Sequence, residues 1–164
     1  MPITEQHIWK LLEQVKDPEV PVLSIMDLGI VRGVKIDVPE INSVTIIITP
    51  TYSGCPAMDI ISIQIRMALL GDGIKKVIIE QQLSPAWTTD WMSESGKQKL
   101  LEYGIAPPLR KASNPLNLFE SDAISCPRCN SDETSLISQF GPTSCKALYQ
   151  CNRCKEPFEH FKCH

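Results

Sequence analysis

Four cysteines in two C-x-x-C pairs restrict what the C-terminal part of this 164-residue chain can become. "CPRC" supplies Cys126 and Cys129, "CNRC" supplies Cys151 and Cys154, and 21 residues separate the pairs. A tight C-x-x-C turn points both of its sulfurs at one ion, and two such turns facing each other form a tetrahedral tetrathiolate site. The intervening "NSDETSLISQFGPTSCKALYQ" carries β-branched and aromatic residues on both sides of Gly141-Pro142, which suits a hairpin. The segment is too short to build a full core, so a structural metal would supply folding energy. Zinc is the expected ion, and thiolates also suit iron. The rival reading, a set of reduced and buried cysteines, does not explain why the spacing recurs.

Three further thiols fall outside this set. Cys145 reads as a small packed residue, with a redox or transient-ligand role as the alternative. Cys163 and His164 close the chain, where fraying is the expectation. Residues 119–164 carry five Lys/Arg (Arg128, Lys146, Arg153, Lys155, Lys162) against six Asp/Glu (Glu120, Asp122, Asp132, Glu133, Glu156, Glu159). That balance argues against binding to a nucleic-acid backbone. Phe140, Tyr149, Phe158 and Phe161 are expected to pack the ribbon or to form a patch for docking protein.

The chain as a whole has ordinary globular composition, 43% hydrophobic with a net charge of −3. No apolar run approaches the roughly 20 residues that cross a bilayer. "MPITEQHIW" does not read as a signal peptide, so the expected location is the cytoplasm, where clustered thiols stay reduced.

Thr4 is a candidate N-cap for a first helix ending near Val15, with Ile8, Leu11, Leu12 and Val15 on one face. "KDPEVPVLSIMDLG" reads as a structured loop. "IVRGVKIDV" and "SVTIIITP", joined through "PEIN", read as a hairpin. Pro56–Leu70 admits a period-two reading through Ile61, Ile63, Ile65 and Met67. Its length favours a helix with Met58, Ile61, Ile65 and Leu69 on one face. "IKKVIIEQQL" is a third strand, and "TTDWMSESGKQKLLEYG" a further short helix with Ser93 or Ser95 as cap. The expected fold class is α/β: a compact helix-strand-strand-helix-strand sandwich over residues 1–105, a Pro-rich linker over 106–118, and a small zinc-ribbon domain over 119–164.

Within the first domain, "TYSGCP" places Cys55 between a strand and a helix. Pro56 suits the first helical position and makes Cys55 the expected N-cap. There the helix dipole and free N–H groups favour thiolate, and Gly54 leaves the sulfur uncrowded. The competing reading is a buried apolar filler. His7 is the sole imidazole of this domain and is expected to be a solvated or packed helix residue, so the base that a thiol nucleophile needs has no clear candidate. Asp17, Glu19 and Asp27 have a bland reading as turn residues. In the functional reading, Asp27 lines the pocket of Cys55.

"DPEVPVLSIMDLGIV" with "TPTYSGCP" resembles the signature of the iron–sulfur assembly domain family, over roughly residues 4–83. Joined to the four-cysteine ribbon and "TSCKALYQCNRCKEPFEHFKC", the whole chain is similar to the PaaD family, whose members are subunits of the bacterial phenylacetyl-CoA epoxidase (ring-oxygenase) system. The resemblance implies an accessory, non-catalytic role: maturation of the iron–sulfur or iron centre of that oxygenase, with its oxygenase and reductase subunits as partners. It implies that Cys55 is a transient cluster or iron ligand and that Asp27 is the family's loop acid, with Thr51 and Gly54 as further pocket candidates. One thiol cannot hold a cluster, since four iron-bound ligands are usual. A second chain, an external thiol or the client would complete the set, and a homodimer is one consequence. Two other readings stay open: a scaffold subunit that never touches metal, and a thiol-dependent enzyme.

Overall fold

The computed structural model describes residues 3–37, 42–109 and 123–162. Most of "PEIN", residues 110–118 of the expected linker, Glu120, Asp122, Cys163 and His164 lie outside the described residues. The chain divides into two compact units, Met1–Gly96 and Lys97–His164.

In the first unit, α1 spans Glu5–Leu12, and the Thr4 side chain accepts from the His7 N–H at 3.3 Å. The helix stops three residues short of the expected Val15. That residue is still buried, held by a turn in which its N–H donates to Leu12 O. Strands β1 (Val31–Asp37) and β2 (Ser43–Ile48) pair antiparallel, and β2 pairs parallel with β3 (Lys76–Gln81). A parallel pair needs a crossover, and α2 (Ala57–Gly71) supplies it. The central strand β2 buries Val44, Ile46 and Ile48 completely. Helix α2 buries Ala57, Met58, Ile61, Ile65 and Leu69, a helical row that excludes the period-two reading. Helices α1 and α2 touch each other, α1 touches β1, and α2 touches β3.

After β3 the chain makes a 3-10 turn at Thr89–Trp91 and enters α3 (Glu94–Tyr103). Ser93 is the cap: its Oγ accepts from the Gly96 N–H at 2.9 Å. The stretch from Trp87 to Gly96 fastens onto the Asp27-Leu28-Gly29 loop. Trp87 Nε1 donates to Leu28 O at 2.7 Å, and Ser93 N donates to Asp27 O at 2.9 Å.

The second unit is a four-stranded sheet in the order β4-β7-β6-β5. It comprises β4 (Ile105–Ala106), β5 (Thr134–Ser138), β6 (Lys146–Cys151) and β7 (Pro157–Phe161). The expected hairpin is β5–β6. Strand β4 pairs parallel with β7, through Ile105↔Glu159 and Ala106↔His160. Its small core is Ala106, Ile124, Cys126, Cys151 and Phe158. Tyr149 stacks on Phe158, and Phe140 is exposed.

Candidate cysteine sites

Cys55 stands beyond the C-terminal ends of the parallel strands β2 and β3, where open α/β sheets gather ligands. The register Ile48↔Gln81 sets the end of β3 beside the turn that leaves β2. In that turn Cys55 N donates to Tyr52 O at 3.3 Å, Met58 N donates to Cys55 O at 3.2 Å, and Gly54 takes φ +74°. A side chain on Gly54 would meet nothing within 4 Å, so that flank of the turn is open.

Pro56 already has helical angles (φ −67°, ψ −21°), so it fills the first helical position and Cys55 stands immediately before it; no side-chain bond caps that end of α2. Cys55 is 8% exposed rather than openly presented. It forms one wall of a surface cavity of about 510 Å³, together with Ser53, Gly54, Pro56, Asp59, Gln81 and Leu83, among others. Thr51 Oγ1 lies 4.0 Å from Cys55 Sγ. Among the described residues, no imidazole lines the cavity. His7 pairs instead with Asp72. A thiol in such a cavity can bind a soft metal, but it has no imidazole there to act as a base.

Asp27 is not among the residues lining this cavity. It is 7% exposed, and its carboxylate accepts from Ser24 N at 3.0 Å and from Ser93 Oγ at 3.1 Å. Ser24 Oγ in turn accepts from Asp27 N at 3.0 Å. These bonds match the turn reading of Asp27. Asp17 behaves alike, with Oδ1 accepting from Glu19 N and Val20 N at 2.8 Å each. Gln81 and Leu83 had no signal in the sequence, because only strand pairing brings them to the cysteine. Asp59 did have one: it lies one helical turn past Cys55.

The ribbon brings together the four cysteines that the sequence selected. Their sulfurs all lie within 4.8 Å of one another, with Cys126–Cys154 at 3.8 Å and Cys129–Cys151 at 3.5 Å. A tetrahedron with metal–sulfur bonds of about 2.3 Å has sulfur–sulfur edges near 3.8 Å, so the cage fits a zinc-sized ion. Each turn closes in the same way. Asn130 N donates to Cys126 O at 2.9 Å, and Lys155 N donates to Cys151 O at 3.0 Å. Asn130 and Lys155 both adopt positive φ, 58° and 66°. Cys126 and Cys151 are wholly buried, while Cys129 and Cys154 reach the surface.

The Cys151 thiol is held down to about 6, first by the Cys154 N–H directed at its sulfur. Cys154 is pushed up to about 12: the Glu156 N–H favours its thiolate, but burial and the three neighbouring sulfurs outweigh it. Four sulfurs crowded this closely can all ionise only around a cation, and Cys126, Cys129, Cys151 and Cys154 would hold one with no position left for substrate.

Comparison with known proteins follows the same division. Residues 5–79 match the family described as "Iron-sulfur cluster assembly protein", and residues 110–162 match the "PaaD zinc beta ribbon domain". The chain is 48% identical over 158 residues to an Escherichia coli (strain K12) protein named as a subunit of a "Putative 1,2-phenylacetyl-CoA epoxidase". That alignment covers 96% of this chain and 92% of the relative. It is 39% identical over 103 residues to the "Fe-S protein maturation auxiliary factor" of Porphyromonas gingivalis (strain ATCC BAA-308 / W83), covering 62% of this chain and 92% of that one. A crystal structure of a DUF59 domain from Bacillus anthracis superimposes with a TM-score of 0.54 at 30% identity, over 58% of this chain and 90% of that chain. With the match extending along nearly the full length of both chains, the protein belongs to the family of this Escherichia coli relative, an iron–sulfur cluster assembly domain joined to a PaaD zinc ribbon.

Proposed function

We propose that the protein is an accessory maturation factor for the iron–sulfur or iron centre of a phenylacetyl-CoA ring-oxygenase. It works in the cytoplasm on the oxygenase and reductase subunits and has no catalysis of its own. Cys55 is the transient ligand for the cargo, and the ribbon cysteines hold a structural zinc. The observation that carries this reading is the Cys55 thiol set in the wall of a surface cavity that, among the described residues, has no imidazole and no second thiol. A hydrolase would need that base, whereas a carrier needs a soft ligand that can let go. Ligands beyond Cys55 come from the recipient protein or a small thiol.

The test compares iron and visible absorbance of the reductase partner purified from cells carrying wild type or Cys55→Ala. Loading is expected to fall several-fold while the purified complex still assembles. Equal loading would remove Cys55 from the mechanism. A scaffold role is the second reading, favoured by the exposed Leu136, Ile137 and Phe140 of the ribbon. On that reading the Cys55 variant keeps both assembly and loading.

A further inference from the structure

Helix α2 is apolar on two sides. Opposite its buried row, Ile60, Ile63, Met67 and Leu70 stand 47%, 56%, 69% and 47% exposed. Their spacing of three, four and three residues is that of a seam between paired helices. At about 100° per residue, Asp59 and Arg66 lie along one flank of this stripe, and Gln64 and Gly71 lie along the other. Asp59 and Arg66 are seven residues apart, about 10 Å along the axis, so they cannot pair with each other. Among the described residues, neither forms an ion pair.

We infer that the stripe seats a second copy of this chain, with the two α2 helices antiparallel. Two-fold symmetry about an axis perpendicular to antiparallel helices lays each flank against the same flank of its partner. Asp59 then faces the partner subunit's Arg66, and Arg66 faces the partner subunit's Asp59, while Ile60 meets Met67 across a two-fold axis near Ile63. A parallel pair would set Asp59 and Arg66 against uncharged Gln64 and Gly71 and would gain no ion pair. The charges therefore select the antiparallel arrangement.

Two consequences reach the cysteine. The two Cys55 thiols lie at opposite ends of the seam, roughly 20 Å apart along the axis, so they do not share one cluster. Asp59 is also a wall of the Cys55 cavity, so the partner subunit's Arg66 arrives at that cavity's rim. The pairing stands on the helix surface alone and does not depend on Cys55 carrying metal.

The test is sedimentation of the full zinc-loaded chain over a range of concentrations. The mass is expected to rise from 18.3 kDa toward twice that value. Arg66→Asp places like charges at both contacts and should move the midpoint at least tenfold upward. The swap Asp59→Arg with Arg66→Asp rebuilds both pairs and should restore it. Met67→Glu, at a position 69% exposed, tests the seam without touching the charges and should also weaken association. Circular dichroism checks that each variant is folded. A wild type that stays monomeric overturns the inference, as does a dimer indifferent to Arg66→Asp or Met67→Glu, or a swap that fails to recover. The stripe would then belong to a protein of another kind.

Discussion

Gly29 and Gly54 have almost the same backbone angle, φ +71° and +74°, in very different surroundings. A Cβ on Gly29 would lie 2.4 Å from Trp91 O and 2.9 Å from Trp91 Cβ. On Gly54 it would touch nothing. Left-handed geometry alone costs a non-glycine residue about 1 kcal/mol, and displacing packed backbone adds to that. Gly29→Ala should therefore lower stability by about 2–4 kcal/mol and Gly54→Ala by about 1 kcal/mol, read from urea unfolding midpoints. A loss at Gly54 as large as that at Gly29 would mean that the cysteine turn is crowded. The sequence marks Asp27-Leu28-Gly29 as a turn, yet nothing in it shows that Trp91 comes to rest there. Cys55 was legible as a singular thiol because glycine and proline flank it. Its placement in a cavity wall was not, because Gln81 and Leu83 arrive through strand pairing.

Among the elements, α2 was readable by its length and its buried row, although apolar residues on both sides let a strand pattern compete. The ribbon hairpin was equally plain. Strand β4 was not: two residues carry no period, and what holds Ala106 in the sheet is its pairing with His160 on β7. His160 is buried, and its Nδ1 lies 3.2 Å from Ala106 O. Burial lowers its pKa below the usual 6.5, and the charge of Lys162 adds to that effect, while the Ala106 contact opposes it. The unfolded chain therefore takes up a proton here before the folded one does. This contribution to stability is full above about pH 6.5 and is lost as pH falls through the folded value. The gap in melting temperature between wild type and His160→Gln should narrow as pH drops from 7 to 5. A gap that stays constant would show that His160 does not titrate on unfolding. Taking the difference cancels the protonation of the cysteines, which both chains share.

At the level of the whole molecule, the two units rest on different physics. Met1–Gly96 has aliphatic cores on two helices and a central strand. In Lys97–His164 two of the five residues at the heart of the core are Cys126 and Cys151 themselves. Metal ligation and hydrophobic packing there are one event. Stripping metal with a strong chelator at neutral pH should abolish slow hydrogen exchange in β5, β6 and β7 and leave β1, β2 and β3 protected. Loss of protection in both units together would contradict separate cores. Cysteine spacing marks the ribbon in the sequence, but nothing there hints at how the Asp27 loop is closed. That closure bears on any shortened version of the protein. The stretch matching the assembly family ends at residue 79, yet Trp87 and Ser93 supply the donors to the Leu28 and Asp27 carbonyls and to the Asp27 carboxylate. A fragment cut at the family boundary would leave those acceptors looking for water, so the smallest piece worth expressing runs on to Gly96.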